Sequence, residues 1–210
     1  APSWQDAATR GGEEGVTPTA SKLSTHWRQL DATGAVAVSS VTDIRNAING
    51  AQAQSSLSLY LPDGSTLPLD GAPIVVGAIT LQLISDGVGA VLDANHTSRV
   101  FELHGTQLLL QSITLANGHS SSTSGTLLIN SSTVVLSGST IVNSSAGTDG
   151  GTVFLDSGVF ELHNSSAIID SSSGGAGGVV FLSGGNMLLD RSSIIRPRAG
   201  GSGGVVWAPE

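Results

Sequence analysis

Acidic and imidazole side chains are the groups with which this chain could carry out general acid–base chemistry. Glu161 and His163 fall on the same outer face of one predicted strand, and Asp190 aligns with His163 one repeat later. Stacked strands would place His163 and Asp190 about 5 Å apart. Such a pair could exchange protons with a substrate, or it could be a solvated contact between neighbouring coils. We favour the contact. The other acidic and imidazole candidates in this region are Glu102, His104, Asp149, Asp156 and Asp170.

A second set of polar side chains shares one position of the repeat: Asn117, Asn143, Asp170 and Arg196. Their oxygens could hold a cation, but Asn at a coil corner also adopts left-handed backbone and bonds to neighbouring turns without any ligand. Arg196 breaks the series, which argues against a repeated metal site. The five histidines show no metal-ligand spacing. We therefore predict no catalytic, metal-binding or cofactor-binding residues, no cofactor, and a chain that is not an enzyme.

The elements that position these side chains follow from an internal repeat. Apolar segments begin at residues 100, 126, 152, 179 and 205, which is a period of 26 or 27 residues. A period of this size with three short apolar runs is typical of a solenoid, in which each repeat forms one coil. The predicted fold is all-β: a right-handed parallel β-helix with three short strands per coil, about 26 residues per coil and a short N-terminal capping helix.

Alternation along each predicted strand separates inward from outward side chains, because successive residues of a strand point to opposite faces. The inward positions are apolar in every coil and predict a core of aliphatic ladders. In the first strand these residues are Phe101/Leu103, Leu127/Ile129, Val153/Leu155 and Val180/Leu182; in the second they are Leu108/Leu110, Val134/Leu136, Phe160/Leu162 and Met187/Leu189. The third strand contributes Leu115-Ala116, Ile141-Val142, Ile168-Ile169 and Ile194-Ile195.

The chain divides into three predicted parts. Residues 1–35 form an extended lead-in that Trp4 and Trp27 pin to the body. Residues 36–98 contain an amphipathic helix at about 42–53, with Thr42 as its N-cap, and the first irregular coils. The helix is expected to plug the N-terminal end of the solenoid. Residues 99–210 form the regular coils and end in mid-coil.

One outward row of the first strand is unexpectedly apolar: Leu128, Phe154, Phe181 and Trp207. We name these four residues the apolar stripe. Contiguous exposed apolar surface usually marks an interaction site. Three explanations stay open: the lead-in or a loop covers the stripe, a protein partner docks on it, or sugars stack against it.

Composition narrows the class of protein. The chain has a net charge of −8, no cysteine and few basic residues. We therefore expect no nucleic-acid partner, and no disulfides or thiolate chemistry. No apolar run approaches the roughly 20 residues of a membrane helix, so no membrane span is expected. Four Asn-x-Ser/Thr sequons favour secretion to the cell surface or beyond, with N-glycans as candidates at Asn95, Asn130, Asn143 and Asn164.

Repeated motifs give the chain a family resemblance over about 99–210. Gly-Gly-x-aliphatic starts and later x-Ile-x-Asn/Asp segments resemble the GGA[I/L/V] and FxxN repeats of chlamydial polymorphic outer membrane proteins and of similar right-handed β-helix proteins of microbial eukaryotes. The upstream part also looks like the start of pectate-lyase-like β-helix domains. The motif Ala is replaced by Thr or Val, and the Phe of FxxN is absent. The motifs are Gly150-Gly151-Thr152-Val153, Gly177-Gly178-Val179-Val180, Gly203-Gly204-Val205-Val206, Thr140-Ile141-Val142-Asn143 and Ala167-Ile168-Ile169-Asp170.

The resemblance implies an adhesive or structural surface protein and transfers no catalytic residue. Our leading hypothesis is a non-catalytic extracellular glycoprotein whose β-helix is a rod or scaffold in a cell-surface coat or filamentous appendage. Its partners would be further coils, other subunits at the C-terminal edge and along the apolar stripe, or surface glycans. The alternative is a polysaccharide lyase or glycoside hydrolase whose groove lies on coils outside this fragment. An ice-binding role is disfavoured because Thr126 and Thr152 are followed by Val179 and Val205.

Overall fold

The structure of the chain is a computed structural model that describes residues 34–209. The predicted contacts of Trp4 and Trp27 lie outside the described residues. Within that range the chain forms one helix, α1 (Val41–Gly50), and 21 strands. The strands are β1 (Val36–Ala37), β2 (Ser56–Tyr60), β3 (Thr66–Pro68), β4 (Ile74–Gly77), β5 (Thr80–Ile84), β6 (Ala90–Asp93), β7 (Phe101–His104), β8 (Gln107–Gln111), β9 (Ile113–Ala116), β10 (His119–Ser120), β11 (Leu127–Asn130), β12 (Ser132–Ser137), β13 (Thr140–Ala146), β14 (Val153–Leu155), β15 (Gly158–His163), β16 (Ala167–Ser173), β17 (Val180–Leu182), β18 (Asn186–Leu189), β19 (Ser193–Ile195), β20 (Arg198–Ala199) and β21 (Val206–Trp207).

These strands stack into three parallel sheets, which confirms the predicted all-β solenoid. The first sheet has the order β1-β2-β5-β8-β12-β15-β18. The second runs β3-β6-β9-β13-β16-β19, with β10 and β20 paired beside it, and the third runs β4-β7-β11-β14-β17-β21. From Phe101 to Val206, residues paired across the third sheet lie 26, 26, 27 and 26 positions apart. One coil of the solenoid therefore corresponds to one sequence repeat.

The core consists of the predicted inward ladders of the first two strands and of Leu115, Ile141 and Ile168 from the third. In the three coils between Phe101 and Leu162, all inward positions of the first and second strands are buried. In the coil after them Leu182, Met187 and Ile194 are only partly buried, and Leu189 is 40% exposed. The difference arises because the described chain places no complete coil over this one. Burial of the ladders thus depends on a neighbour on both sides.

Helix α1 closes the opposite end of the core. Val41 and Ile44 are buried, and Ala47, Ile48 and Ala51 pack against the core cluster. The helix begins and ends earlier than the predicted range of about 42–53. Its N-cap is Ser40, not Thr42, because the Ser40 hydroxyl accepts a hydrogen bond from the Asp43 backbone N–H at 3.1 Å.

Over residues 34–209, no helix is both long enough and apolar enough to cross a membrane.

The Gly-Gly pairs have a steric cause at the third corner of each coil. The first residue of the pair has left-handed backbone, with φ of +65° at Gly150, +65° at Gly177 and +68° at Gly203. The second glycine lies under the next coil: a Cβ on Gly151 would collide with the Gly178 carbonyl and lie 2.6 Å from the Ser172 carbonyl oxygen. The pair therefore combines an unusual backbone angle with a position that has no room for a side chain.

Candidate functional site

The shared Asn/Asp position is a row of coil corners. Asn117, Asn143, Asp170 and Arg196 all have left-handed backbone, with φ between +53° and +58°. The Asn117 amide donates to Asp93 Oδ1 at 2.8 Å, and the Asn143 amide donates to Asn117 Oδ1 at 2.8 Å. The amides thus bond from coil to coil, as expected for structural corner residues. Among residues 34–209, no cluster of three or more His, Cys, Asp or Glu side chains could hold a metal ion.

The last two residues of this row form an ion pair. The Arg196 guanidinium contacts both Asp170 oxygens, at 2.6 and 2.7 Å. The hydrogen bond from Arg196 lowers the pKa of the Asp170 carboxyl, and the positive charge of Arg198 adds to the shift. Asp170 is therefore ionised at neutral pH, and its oxygens are occupied by the guanidinium.

The acidic and imidazole cluster brings together the three residues that the sequence aligned. His163 Nε2 lies 3.0 Å from Glu161 Oε2, and His163 Nδ1 lies 3.4 Å from Asp190 Oδ2. Asp190 also accepts a hydrogen bond from Arg191 at 3.3 Å, and this bond, followed by that of His163, lowers the Asp190 pKa. Both imidazole nitrogens therefore face carboxylate oxygens, and Asp190 is ionised at neutral pH.

The expected solvation is wrong for Glu161 and His163, whereas the side chain of Asp190 is 44% exposed. The side chains of Glu161 and His163 belong to the outward row of β15, but the two residues are only 4% and 6% exposed. Alternation along the strand gives the direction of a side chain and does not reveal what lies over it. A general base needs a free ring nitrogen within reach of a substrate proton. The observed arrangement is a buried contact of His163 with Glu161 on the same strand, joined to the exposed Asp190 of the next coil.

The apolar stripe lies on the outer face of the third sheet. Its members are register partners in successive coils, and all four are half-buried. The rings of Phe154 and Phe181 stack with centroids 5.0 Å apart and planes 7° apart. Trp207 continues the stack, with its centroid 4.7 Å from that of Phe181. The rings therefore turn their faces toward each other, which leaves mainly ring edges and the outer face of Trp207 on the surface.

The four sequon asparagines are all exposed, but they differ in what their amides do. The Asn143 amide donates to Asn117 and lies 3.3 Å from His96 Nε2. The Asn164 amide donates to Ser137 Oγ at 2.9 Å. Within the described part of the chain, the amide nitrogens of Asn95 and Asn130 make no hydrogen bond. A glycan bonded to the amide nitrogen would replace one of its two hydrogens, so Asn95 and Asn130 are the positions where it disturbs least.

Sequence reasoning missed an open groove of about 340 Å³ beside β10, between Arg99 and His119. The groove forms because the chain between β9 and β11 is longer than the corresponding connections of the earlier coils. Arg99 is held in place: it donates to Glu102 Oε1 at 2.9 Å and to the carbonyl of Thr123 at 2.8 Å. The longer connection between β9 and β11 was the signal in the sequence, but it shows only when successive coils are compared.

Fold and surface together define the class of this protein as a three-sheet parallel β-solenoid with a capped N-terminal end and an outer aromatic row. Comparisons with protein-family models, with curated proteins and with solved structures gave no match.

Proposed function

We propose that this chain is a non-catalytic extracellular glycoprotein whose solenoid is a rigid scaffold for adhesion or assembly in a cell-surface coat or filamentous appendage. The observation that carries the proposal is the apolar stripe. Three aromatic rings in contact form a continuous apolar row along the solenoid axis. A partially exposed row of this kind favours binding to another protein surface. The resemblance to polymorphic outer membrane protein repeats points the same way.

Ring geometry favours a protein partner over a sugar. A sugar stacks on the face of an aromatic ring, but the faces of Phe154 and Phe181 contact each other. Ring edges and the neighbouring Leu128 methyl groups suit the apolar side chains of a protein surface. We therefore propose that the stripe packs against another subunit or against a protein on the cell surface.

The C-terminal coil offers a second contact surface. Leu188, Leu189 and Ile195 are exposed there. Within the described residues, β18, β19 and β21 each pair on one side only. Parallel strands with one free edge readily accept another strand. We propose that another subunit stacks on this edge.

The stripe is tested by changing Phe154 and Phe181 together to serine. We expect the variant to fold and its self-association to weaken by about tenfold or more, because the central apolar contacts of an interface carry most of its free energy. Sedimentation velocity over a concentration series measures the association, and circular dichroism checks the fold.

The matched control changes Val36 and Val88 to serine, which removes two exposed apolar side chains that belong neither to the stripe nor to the C-terminal edge. A separate variant, in which Leu188 and Ile195 are changed to serine, tests the edge contact. A wild-type protein that stays monomeric would contradict assembly through self-association. A double Phe variant that no longer folds would mean that the stripe belongs to the core. Cleavage of a polysaccharide by the wild-type protein would support the enzyme alternative instead.

The glycoprotein part of the proposal is tested by mass spectrometry of the protein from its native source, before and after glycosidase treatment. We expect glycans at Asn95 and Asn130, and little occupancy at Asn143 and Asn164, because the latter two amides bond to neighbouring coils. Glycopeptide mapping gives the occupancy of each site. A native chain without any glycan would contradict the proposal, and full occupancy at Asn143 would contradict its structural reasoning.

A further inference from the structure

The groove beside β10 forms at a step between two connections of unequal length. Residues 94–100 join β6 to β7, whereas the longer segment 117–126 joins β9 to β11 in the next coil. Pro73 and Thr97 line the groove on the side of the shorter connections, and Ser121 lines it on the side of the longer one. Its volume of about 340 Å³ lies at the lower end of the range for small-molecule sites, about 300–1,000 Å³. The groove therefore has room for one small ligand or for one end of a longer ligand.

The lining of the groove is held in place by hydrogen bonds within the chain. Arg99 Nε donates to the carbonyls of Thr123 and Ser124, at 3.2 and 3.0 Å. Arg99 Nη2 donates to the Ser122 hydroxyl at 3.2 Å. Strand β10 pairs in parallel with β13, which fixes the backbone of His119. A ligand therefore does not have to order these groups, and this lowers the entropic cost of binding.

Charge and polarity define the class of ligand that the groove suits. Among the described residues that line it, Arg99 carries the only permanent charge, and Glu102 compensates this charge through a contact of 2.9 Å. An anionic ligand would have to displace Glu102, and the net charge of −8 opposes its approach. An apolar ligand would take the Ser121 hydroxyl out of water without a hydrogen-bond partner, which costs free energy. The groove therefore suits a neutral ligand that carries several hydroxyl groups.

We infer that the groove binds one end of a neutral oligosaccharide. Sugar hydroxyls both donate and accept hydrogen bonds, as serine hydroxyls and a neutral imidazole also do. His119 Nδ1 lies 2.8 Å from Ser145 Oγ, so Nε2 is the ring nitrogen available to a ligand. Ser121 is exposed, and its hydroxyl makes no hydrogen bond within the described part of the chain. The Pro73 ring supplies an apolar contact for the C–H groups of a sugar.

This site goes beyond the proposed function, because none of its lining residues belongs to the apolar stripe. Saturation-transfer difference NMR with maltotriose, cellotriose, mannotriose and chitotriose, each at millimolar concentration, tests it. We expect at least one of these neutral trisaccharides to bind with a dissociation constant in the millimolar range, because an open groove buries only part of a ligand. Trigalacturonate is the charged probe and is expected to bind more weakly. Absence of binding by all four neutral sugars, or tighter binding of trigalacturonate, would overturn the inference.

Two histidine variants locate the site. His119→Ala is expected to weaken sugar binding about fivefold, because one hydrogen bond is lost. His104→Ala is the matched control, since His104 is exposed on β7 and does not line the groove. We expect its affinity to equal that of the unchanged protein. An equal loss in both variants, or no loss in His119→Ala, would overturn the location. Ser121→Ala, which removes one exposed hydroxyl, gives the same test if His119→Ala does not fold.

The double change of Phe154 and Phe181 to serine separates this inference from the proposed contact of the stripe. We expect that variant to keep its affinity for the sugar while its self-association weakens. Loss of sugar binding in a folded double variant would show that the sugar stacks on the stripe, and would overturn the groove as its site. Circular dichroism checks the fold of every variant.

Discussion

Replacing Gly151 by alanine is expected to destabilise the folded chain by about 2–3 kcal/mol or more, as overpacking of a tight site does. The added methyl group would collide with the Gly178 carbonyl of the next coil and would crowd Ser172. These atoms are backbone, so the coil itself has to move. Urea unfolding followed by circular dichroism measures the change in the free energy of unfolding.

Gly204→Ala is the matched control, because Gly204 takes the same motif position in the following coils and a Cβ there meets no atom within 4 Å. We expect a change within about 0.5 kcal/mol for this substitution. Equal losses for Gly151→Ala and Gly204→Ala would show that the cost comes from the motif's backbone and not from the coil stacked over it.

The second large effect is expected from Leu162→Ala, at about 2–5 kcal/mol, because the substitution leaves a cavity in a packed core. Leu162 is fully buried and pairs in register with Leu189 of the next coil. Leu189→Ala removes the same atoms from the same ladder at a position that is 40% exposed. We expect it to cost about 1 kcal/mol or less, since less apolar surface returns to water.

Urea unfolding of both variants is fitted with one common dependence of the free energy of unfolding on urea concentration. A loss at Leu189 as large as that at Leu162 would mean that another structure covers the last coil in solution. If Leu162→Ala lowered the free energy of unfolding only slightly, the proposed packing of Leu162 against its neighbours in the ladder would be wrong.

The fold could be predicted because the repeat and the strand alternation act together. A period of 26 or 27 residues aligns Leu136 with Leu162 and Leu189, and alternation turns all three inward. Local chemistry was less decisive at the helix start, where Ser40 and Thr42 are both suitable N-caps. The overlooked signal was the spacing of Ser40 and Asp43: the Ser40 hydroxyl accepts from the Asp43 N–H, and the Asp43 carboxylate accepts from the N–H of Ser39.

The candidate site was only half predictable. Register alone brought His163 next to Asp190, and the contact is present at 3.4 Å. The burial of His163 and Glu161 was missed because strand alternation gives the direction of a side chain and not its exposure. The groove between Arg99 and His119 was missed because it depends on a difference in loop length between coils, which no single repeat contains.

Because the register between coils is constant, each coil adds the same length to the solenoid. Phe101, Leu127 and Val153 follow one another at the same ladder position, each 26 residues apart. Excision of residues 127–152 would pair Phe101 with Val153, so an inward apolar residue would again face an inward apolar residue. The same holds for the inward residues of the other two sheets. Duplication of such a segment would do the same in reverse. The reach of this solenoid can therefore change in steps of about 4.8 Å by gain or loss of whole coils, without redesign of its interior.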